Sequence, residues 1–182
     1  LKAIGKVGQN RDNQGLSEYS IAASATAIYQ WDPVKMAATG TIVVAGAGGA
    51  IMGSLNGVFY TDASTSKPTW ANHLNASNTA TDIVGFVSDD PYERFEIQSN
   101  NAGASNANDV FAVADIAYAA GSTPDYISGV ELNDSTIANG SSATLQILGA
   151  SKDPSNNDVG AANVNWVVRI NEHELDMNVN GV

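Results

Sequence analysis

The sequence predicts an all-β protein: small β-barrel or β-sandwich units with long polar loops and an extended N-terminal arm. Two observations predict it. Turn signals are dense, with Asn56-Gly57, Asn139-Gly140, Asn156-Asn157 and Asn180-Gly181 punctuating a chain rich in Gly, Ala, Ser, Thr and Asn. Between them lie short runs of β-branched and aromatic residues, and no window sustains a capped 3.6-residue period. A chain of 182 residues can bury a real core. Its aromatics amount to only 7%, so thin layers, or burial shared with a partner, are expected.

In chain order, residues 1–15 read as the arm. Lys2, Lys6 and Arg11 fall in the first eleven positions with no acid among them, a +3 segment on a chain whose net charge is -11. Residues 16–98 read as a β-barrel-like region, with strands expected at 41–45, 58–61, 81–87 and 95–98. The polar stretch SNNAGASNAN, 99–108, cannot bury itself and marks a loop or boundary. Residues 99–182 form a second β region packed on the first, as a separate unit or as part of one domain. Within it, 109–120 is ambiguous: five alanines suit a helix, while Val110, Phe111, Val113, Ile116 and Tyr118 suit a strand, which is the reading adopted. Strands are also expected at 126–132 and 143–148, and a second polar loop at 151–162. The clearest strand is NVNWVVRIN, 163–171, where Val164, Trp166, Val168 and Ile170 alternate with Asn163, Asn165, Arg169 and Asn171.

The charge of -11 opposes binding to a phosphate backbone, whose affinity comes from cations displacing counterions, so no nucleic-acid partner is expected. The absence of cysteine excludes disulfides, thiolate nucleophiles and cysteine-ligated zinc. No apolar run nears the roughly 20 residues that span a bilayer, so no membrane association is expected. The start, LKAIGKVGQNRDNQG, lacks the apolar stretch of a signal peptide, which suggests a soluble product.

Candidate chemistry is thin. TIVVAGAGGAIMG, 41–53, runs a strand into glycines as a dinucleotide-binding loop does. Aligning Gly46 and Gly48 to the first two glycines puts Ile51 where a small residue should allow close helix packing. Strand-like Val58-Phe59-Tyr60 also follows too soon for a phosphate-facing helix, and a hairpin fits better. His73 reads as a polar loop residue. His173 lies between Glu172 and Glu174, but strand alternation sends it to the opposite face from both. No G-x-S-x-G elbow is present. The segment 153–158 offers oxygen ligands without EF-hand spacing and reads as an Asx-rich turn.

The acidic stretch VGFVSDDPYERFEIQS, 84–99, crowds Asp89, Asp90, Glu93 and Glu96 around Pro91. Proline pushes Asp90 toward extended geometry, so Asp89 and Asp90 point to opposite sides. Two carboxylates flanking a glycosidic bond at roughly 5–10 Å are not supplied by such a stretch. The reading is strand, Asx-Pro turn, strand, with Arg94 and Glu96 sharing the outer face and pairing there. No catalytic, cofactor-binding or metal-ligating residue is expected, and the chain does not read as an enzyme.

The ordered succession GLSEYSIA, WDPVKM with GTIVVA, GSLNGVFYTD with SKPTW, VGFVSDDPYERFEIQ, ATLQILGA and VVRINEHEL resembles a family of tailed-bacteriophage head proteins. These are small β-rich decoration (cement) or virion structural proteins, and the pieces run from about residue 15 to 175. The resemblance implies a non-enzymatic virion protein on the outer surface of the capsid, commonly a homotrimer, whose partner is the major capsid protein and whose role is capsid stabilisation. Lys2, Lys6 and Arg11 then become candidate capsid contacts, on an arm lying in an acidic groove or adding a strand to a neighbour's sheet. Competing readings are a head fibre or other virion attachment protein; an extracellular carbohydrate-binding β module stacking sugars on Trp31, Trp70 or Tyr92; and a nucleotide-dependent enzyme using Gly46 to Gly53.

Overall fold

In the computed structural model the described residues are 1–6, 15–101, 105–140, 142–156 and 158–176. They form β1 (Lys2–Lys6), β2 (Ser17–Ser20), β3 (Pro33–Ala37), β4 (Thr41–Val44), β5 (Gly53–Thr61), β6 (Pro68–Ala71) and β7 (Val84–Ser88). There follow β8 (Glu93–Gln98), β9 (Val113–Ala114), β10 (Ile116–Ala117), β11 (Glu131–Leu132), β12 (Leu145–Ala150) and β13 (Asn165–Ile170). Three single-turn 3₁₀ segments are the helical content among the described residues. The protein is all-β, as expected. Its strands make two open antiparallel sheets and a small ribbon, a sandwich-like arrangement and no closed barrel. Sheet I has the order β1-β8-β13-β12-β9; sheet II has the order β2-β7-β5-β3-β4 with β6 also on β5; β10 and β11 form the ribbon.

Each large sheet buries one face over its own core, and period-two alternation decides which face. In sheet I, Phe95 and Ile97 from β8, Leu145 and Ile147 from β12, and Trp166, Val168 and Ile170 from β13 point inward. In sheet II, Leu55, Val58 and Val87 meet Ile28 and Leu74 from the flanking loops. Full burial of one such side chain is worth about 1.5–3 kcal/mol, so these alternating positions set the register.

The loop before β5 ties the two cores together. Consecutive residues Ile51 and Met52 enter different cores, the first that of sheet I and the second that of sheet II. The backbone of Ile51 is clamped on both sides, its N–H donating to the Glu172 carbonyl at 3.0 Å and its carbonyl accepting from Glu174 N–H at 3.1 Å. Thr144 Oγ1 donates to the Gly49 carbonyl at 3.0 Å, and Met36 N–H donates to Glu174 Oε2 at 2.6 Å. The loop between β4 and β5 is therefore built into the partner sheet. This corrects the expected hairpin: β4 pairs with β3, and the glycine segment carries the chain past β3 to β5.

Other expectations change as well. Asn56-Gly57 is not a turn but lies inside β5, at a bulge between Leu55 and Gly57 opposite β7. The expected strand 126–132 shrinks to β11, and Tyr126 sits in a turn at φ 55°. The expected strand 109–120 breaks into β9 and β10, preceded by a 3₁₀ turn over Ala107–Asp109. The first six residues of the extended arm are built into sheet I. Lys2–Lys6 form an edge strand on β8, with Leu1 buried and its carbonyl accepting from Ser54 Oγ at 2.6 Å. Nor do the sheets divide at residue 98, because β8 pairs with β13 while its neighbour in sequence, β7, belongs to sheet II.

Candidate docking face

Strands β1, β8, β13 and β12 lie side by side, and alternation sends Arg94, Glu96, Val167, Arg169, Gln146 and Leu148 away from the core they cover. Two bulges, between Ala3 and Gly5 in β1 and between Ile147 and Gly149 in β12, interrupt the strands to either side. Such bulges bend a strand and raise its twist. Between them runs a groove of ≈ 650 Å³ whose walls include Ile4, Phe111, Leu148 and Val167 together with Lys6, Arg94, Lys152 and Arg169. Those last four are half of the chain's eight lysines and arginines, gathered on one face of a protein of net charge -11.

Of the groove's cations, Arg169 is held by a neutral partner and Lys6 by a carboxylate. Arg169 Nε donates to Gln146 Oε1 at 2.8 Å, a neutral partner that fixes the guanidinium, and no carboxylate among the described residues forms an ion pair with it. Glu96 does not pair with Arg94 as expected; its Oε2 accepts from Ser151 Oγ at 2.5 Å. Lys6 Nζ lies 2.7 Å from Asp90 Oδ2, and that ammonium holds the Asp90 carboxyl below its ordinary range. Burial pushes the neighbouring Glu93 carboxyl up, against the pull of Lys6.

Phe111 supplies the groove's largest apolar projection. It is 73% exposed and held at φ 75°, a left-handed conformation costly for a bulky side chain. Its N–H donates to the Ile147 carbonyl at 2.9 Å, and its own carbonyl accepts from Gln146 Nε2 at 3.4 Å. With both backbone groups tied to β12, the ring is turned out over the groove.

Of the residues singled out from the sequence, Lys6 lies at one end of this groove. Lys2 is exposed at the other end of β1, its Nζ 5.6 Å from the centroid of the Trp31 ring. Arg11 lies outside the described residues. Arg94, Lys152, Arg169 and Phe111 escaped sequence reasoning, because only sheet pairing brings them together.

The acidic corner resolves as two separate ties. Asp89 accepts from Ser17 Oγ at 2.9 Å and Tyr19 Oη at 2.5 Å on the side of sheet II, while Asp90 faces Lys6 of sheet I. Burial, helped by the Asp89 carboxylate, pushes the Tyr19 phenol up to about 12. Asp153 and Asp158 accept from the backbone N–H groups of Ser155 and Gly160, as Asx turns do. The residues after Gly46 form a loop at positive φ for Gly48 and Gly49 and lead into β5, so no helix N-terminus faces them. Among the described residues no three His, Asp or Glu side chains converge as a metal ion would require. His73 lies in the loop after β6, where its ring stacks on Tyr126 at 3.7 Å and 3°. His173 is buried, its Nδ1 accepting from Leu175 N–H at 3.1 Å, and burial holds its pKa below the ordinary histidine value.

Comparison with family models, curated proteins and solved structures finds no significant match to this chain.

Proposed function

We propose that this chain is a non-enzymatic virion structural protein of the capsid-decoration type. It docks the outer face of sheet I on an acidic, partly apolar surface of the assembled major capsid shell, on the outside of the virion, as a homotrimer. The observation that carries this reading is the groove itself, where Lys6, Arg94, Lys152 and Arg169 accompany exposed Ile4 and Phe111 and half-buried Leu148 and Val167 in an otherwise acidic protein. A basic patch on an acidic body steers association in one orientation and suppresses others. Apolar groups at its centre supply affinity once water is excluded. A rigid antiparallel sheet presents these groups without a folding cost at binding.

Stabilisation then follows from linkage. A protein that binds the assembled shell but not its separated subunits adds RT ln(1 + [L]/Kd) per site, about 2.7 kcal/mol when its free concentration is 100 times Kd. Repeated over a shell, modest individual contacts become decisive.

The test uses bare expanded capsids of the phage that carries this sequence. Added protein is expected to bind them, raise their melting temperature and decorate the outer surface on imaging. The Arg94→Glu, Arg169→Glu double variant is expected to bind about tenfold or more weakly, with a shallower salt dependence. Light scattering is expected to give a trimer. A monomer that neither binds nor heat-stabilises the capsids overturns the reading.

A further inference from the structure

We propose that the outer face of sheet II is a second binding site, a platform for the flat face of neutral pyranose sugars, centred on Trp70. It rests on residues remote in the pairing scheme from the groove of sheet I and does not depend on the function proposed for that groove. The pairing registers set the face. Phe59 lies opposite Trp70 on β6 and opposite Val84 on β7, Gly57 lies opposite Phe86, and Phe86 lies opposite Glu18 on β2. Alternation puts Val58, Gly85 and Val87 on the inner side, so Phe59, Trp70, Phe86 and Val84 share the outer one.

Trp70 does not simply stand at the sheet's edge. A Cβ built on Gly57 would come within 2.8 Å of its Cζ2 and 3.4 Å of its Cε2, so the indole is laid back across β5 in the space that glycine leaves open. On the far side it meets Phe86, with ring centroids 4.7 Å apart and planes tilted by 52°. Trp70 thus reaches from β6 across β5 to Phe86 on β7, with Phe59 opposite it in register on the same face, and Trp70 is 57% and Phe59 39% exposed. Folding gains nothing from this exposure, since the core of sheet II lies on the other face. A contiguous exposed aromatic patch marks an interaction site.

The border indicates what the strip accepts. Outer positions flanking the rings on β2 and β5 include Glu18, Ser20 and Thr61, which offer oxygen atoms. An indole face is electron-rich and attracts the weakly positive C–H groups that line one side of a pyranose ring. Carboxylate and hydroxyl oxygens at the rim then receive the sugar's O–H donors. The Glu18 carboxylate and the chain's net charge of -11 disfavour sialylated or sulfated sugars, which makes neutral glycans the class that fits. Trp31, capped by Lys2, and Tyr92, alone at the acidic corner, have no such arrangement.

The test titrates the intact protein with cellohexaose and chitohexaose, following tryptophan fluorescence, beside an array of neutral and sialylated glycans. Saturable binding on neutral members is expected, with sialylated members weaker. Trp70→Ala is expected to weaken it about tenfold, Trp70→Phe less, and Gly57→Ala to weaken it by displacing the indole. Arg94→Glu should leave it unchanged. Circular dichroism checks that each variant is folded. The proposal is overturned if the wild-type protein binds no neutral glycan. It is equally overturned if Trp70→Ala leaves the titration intact but changes subunit stoichiometry or capsid affinity, which would make the strip a protein interface.

Discussion

Sheet I turns Arg94, Val167 and Arg169 to its outer side, whereas sheet II turns Phe86, Phe59 and, through β6, Trp70. Their inner sides follow one rule, since both are lined by aliphatic side chains with an occasional large ring, as close packing requires. The difference is confined to the side folding leaves free. Inner-face residues report on stability, and outer-face residues report on what the sheet meets. A flat array of cations around aliphatic groups fits an acidic protein surface, and a strip of rings bordered by oxygen fits a neutral polyol.

The sharpest way to probe the comparison is to cross from outside to inside on one strand. Trp166→Ala, a fully buried change beside outward Val167, is expected to cost about 3–5 kcal/mol in chemical denaturation. Because Ile51 and Met52 bridge the cores, unfolding should remain a single transition. Two resolved transitions would show that the sheets fold independently. Next in size is Gly53→Ala, where a Cβ would lie 2.2 Å from the Ser88 carbonyl oxygen and 2.9 Å from Val87 Cγ1. Strands β5 and β7 must move apart there, for roughly 1–3 kcal/mol.

A smaller effect depends on pH. His173 is buried with its pKa below 6.5, despite the pull of Asp89, Asp176 and Asp90. Between its folded pKa and 6.5 the unfolded chain binds more protons than the folded one, so stability falls as pH is lowered through that window. The slope is at most about 1.4 kcal/mol per pH unit. The carboxyls of buried Glu93 and half-buried Glu174, whose pKa values are raised by desolvation, act in the opposite sense, losing stability as pH rises through their folded pKa. Since they are common to both proteins, the difference between wild type and His173→Asn isolates the histidine; identical pH profiles would contradict this account. The smallest effect is expected from Lys6→Ala, which removes a part-exposed ion pair worth about 0–1 kcal/mol. A larger loss by thermal denaturation would mean that β1 is held to β8 by its charge and not by its backbone ladder.

Much of the fold was legible because alternation is local. Trp166, Val168 and Ile170 announce the inner face of β13 without any knowledge of its neighbours. The failures have local causes as well. Asn56-Gly57 carries the residue types of a tight turn, yet a bulge inside a strand also accepts them, and only the presence of β7 alongside decides between the two. The segment 126–132 is rich in strand formers, but Tyr126 donates its N–H to the Ser122 carbonyl, closing a turn first. Of the outer faces only single residues, Lys6 and Trp70, stand out in the sequence as candidate contacts, and their surroundings do not. Lys6, Arg94, Lys152 and Arg169 are scattered through the chain and meet only through the order β1-β8-β13-β12. Trp70 gains its setting from Gly57 and Phe86 on other strands.

The position of β8 has a further consequence. Its partners are β1, from the start of the described chain, and β13, from near its end, while a long polar connection follows it at 99–108. A protease cut in that connection would separate β8 from β13 covalently without breaking the hydrogen bonds between them. The nicked protein should therefore stay assembled and run as one particle. If the pieces were expressed separately, the first would lack the strand that covers one edge of β8, and the second would lack both β8 and β1. Mixing them should restore sheet I, so the connection offers a natural place to split the molecule into a complementing pair.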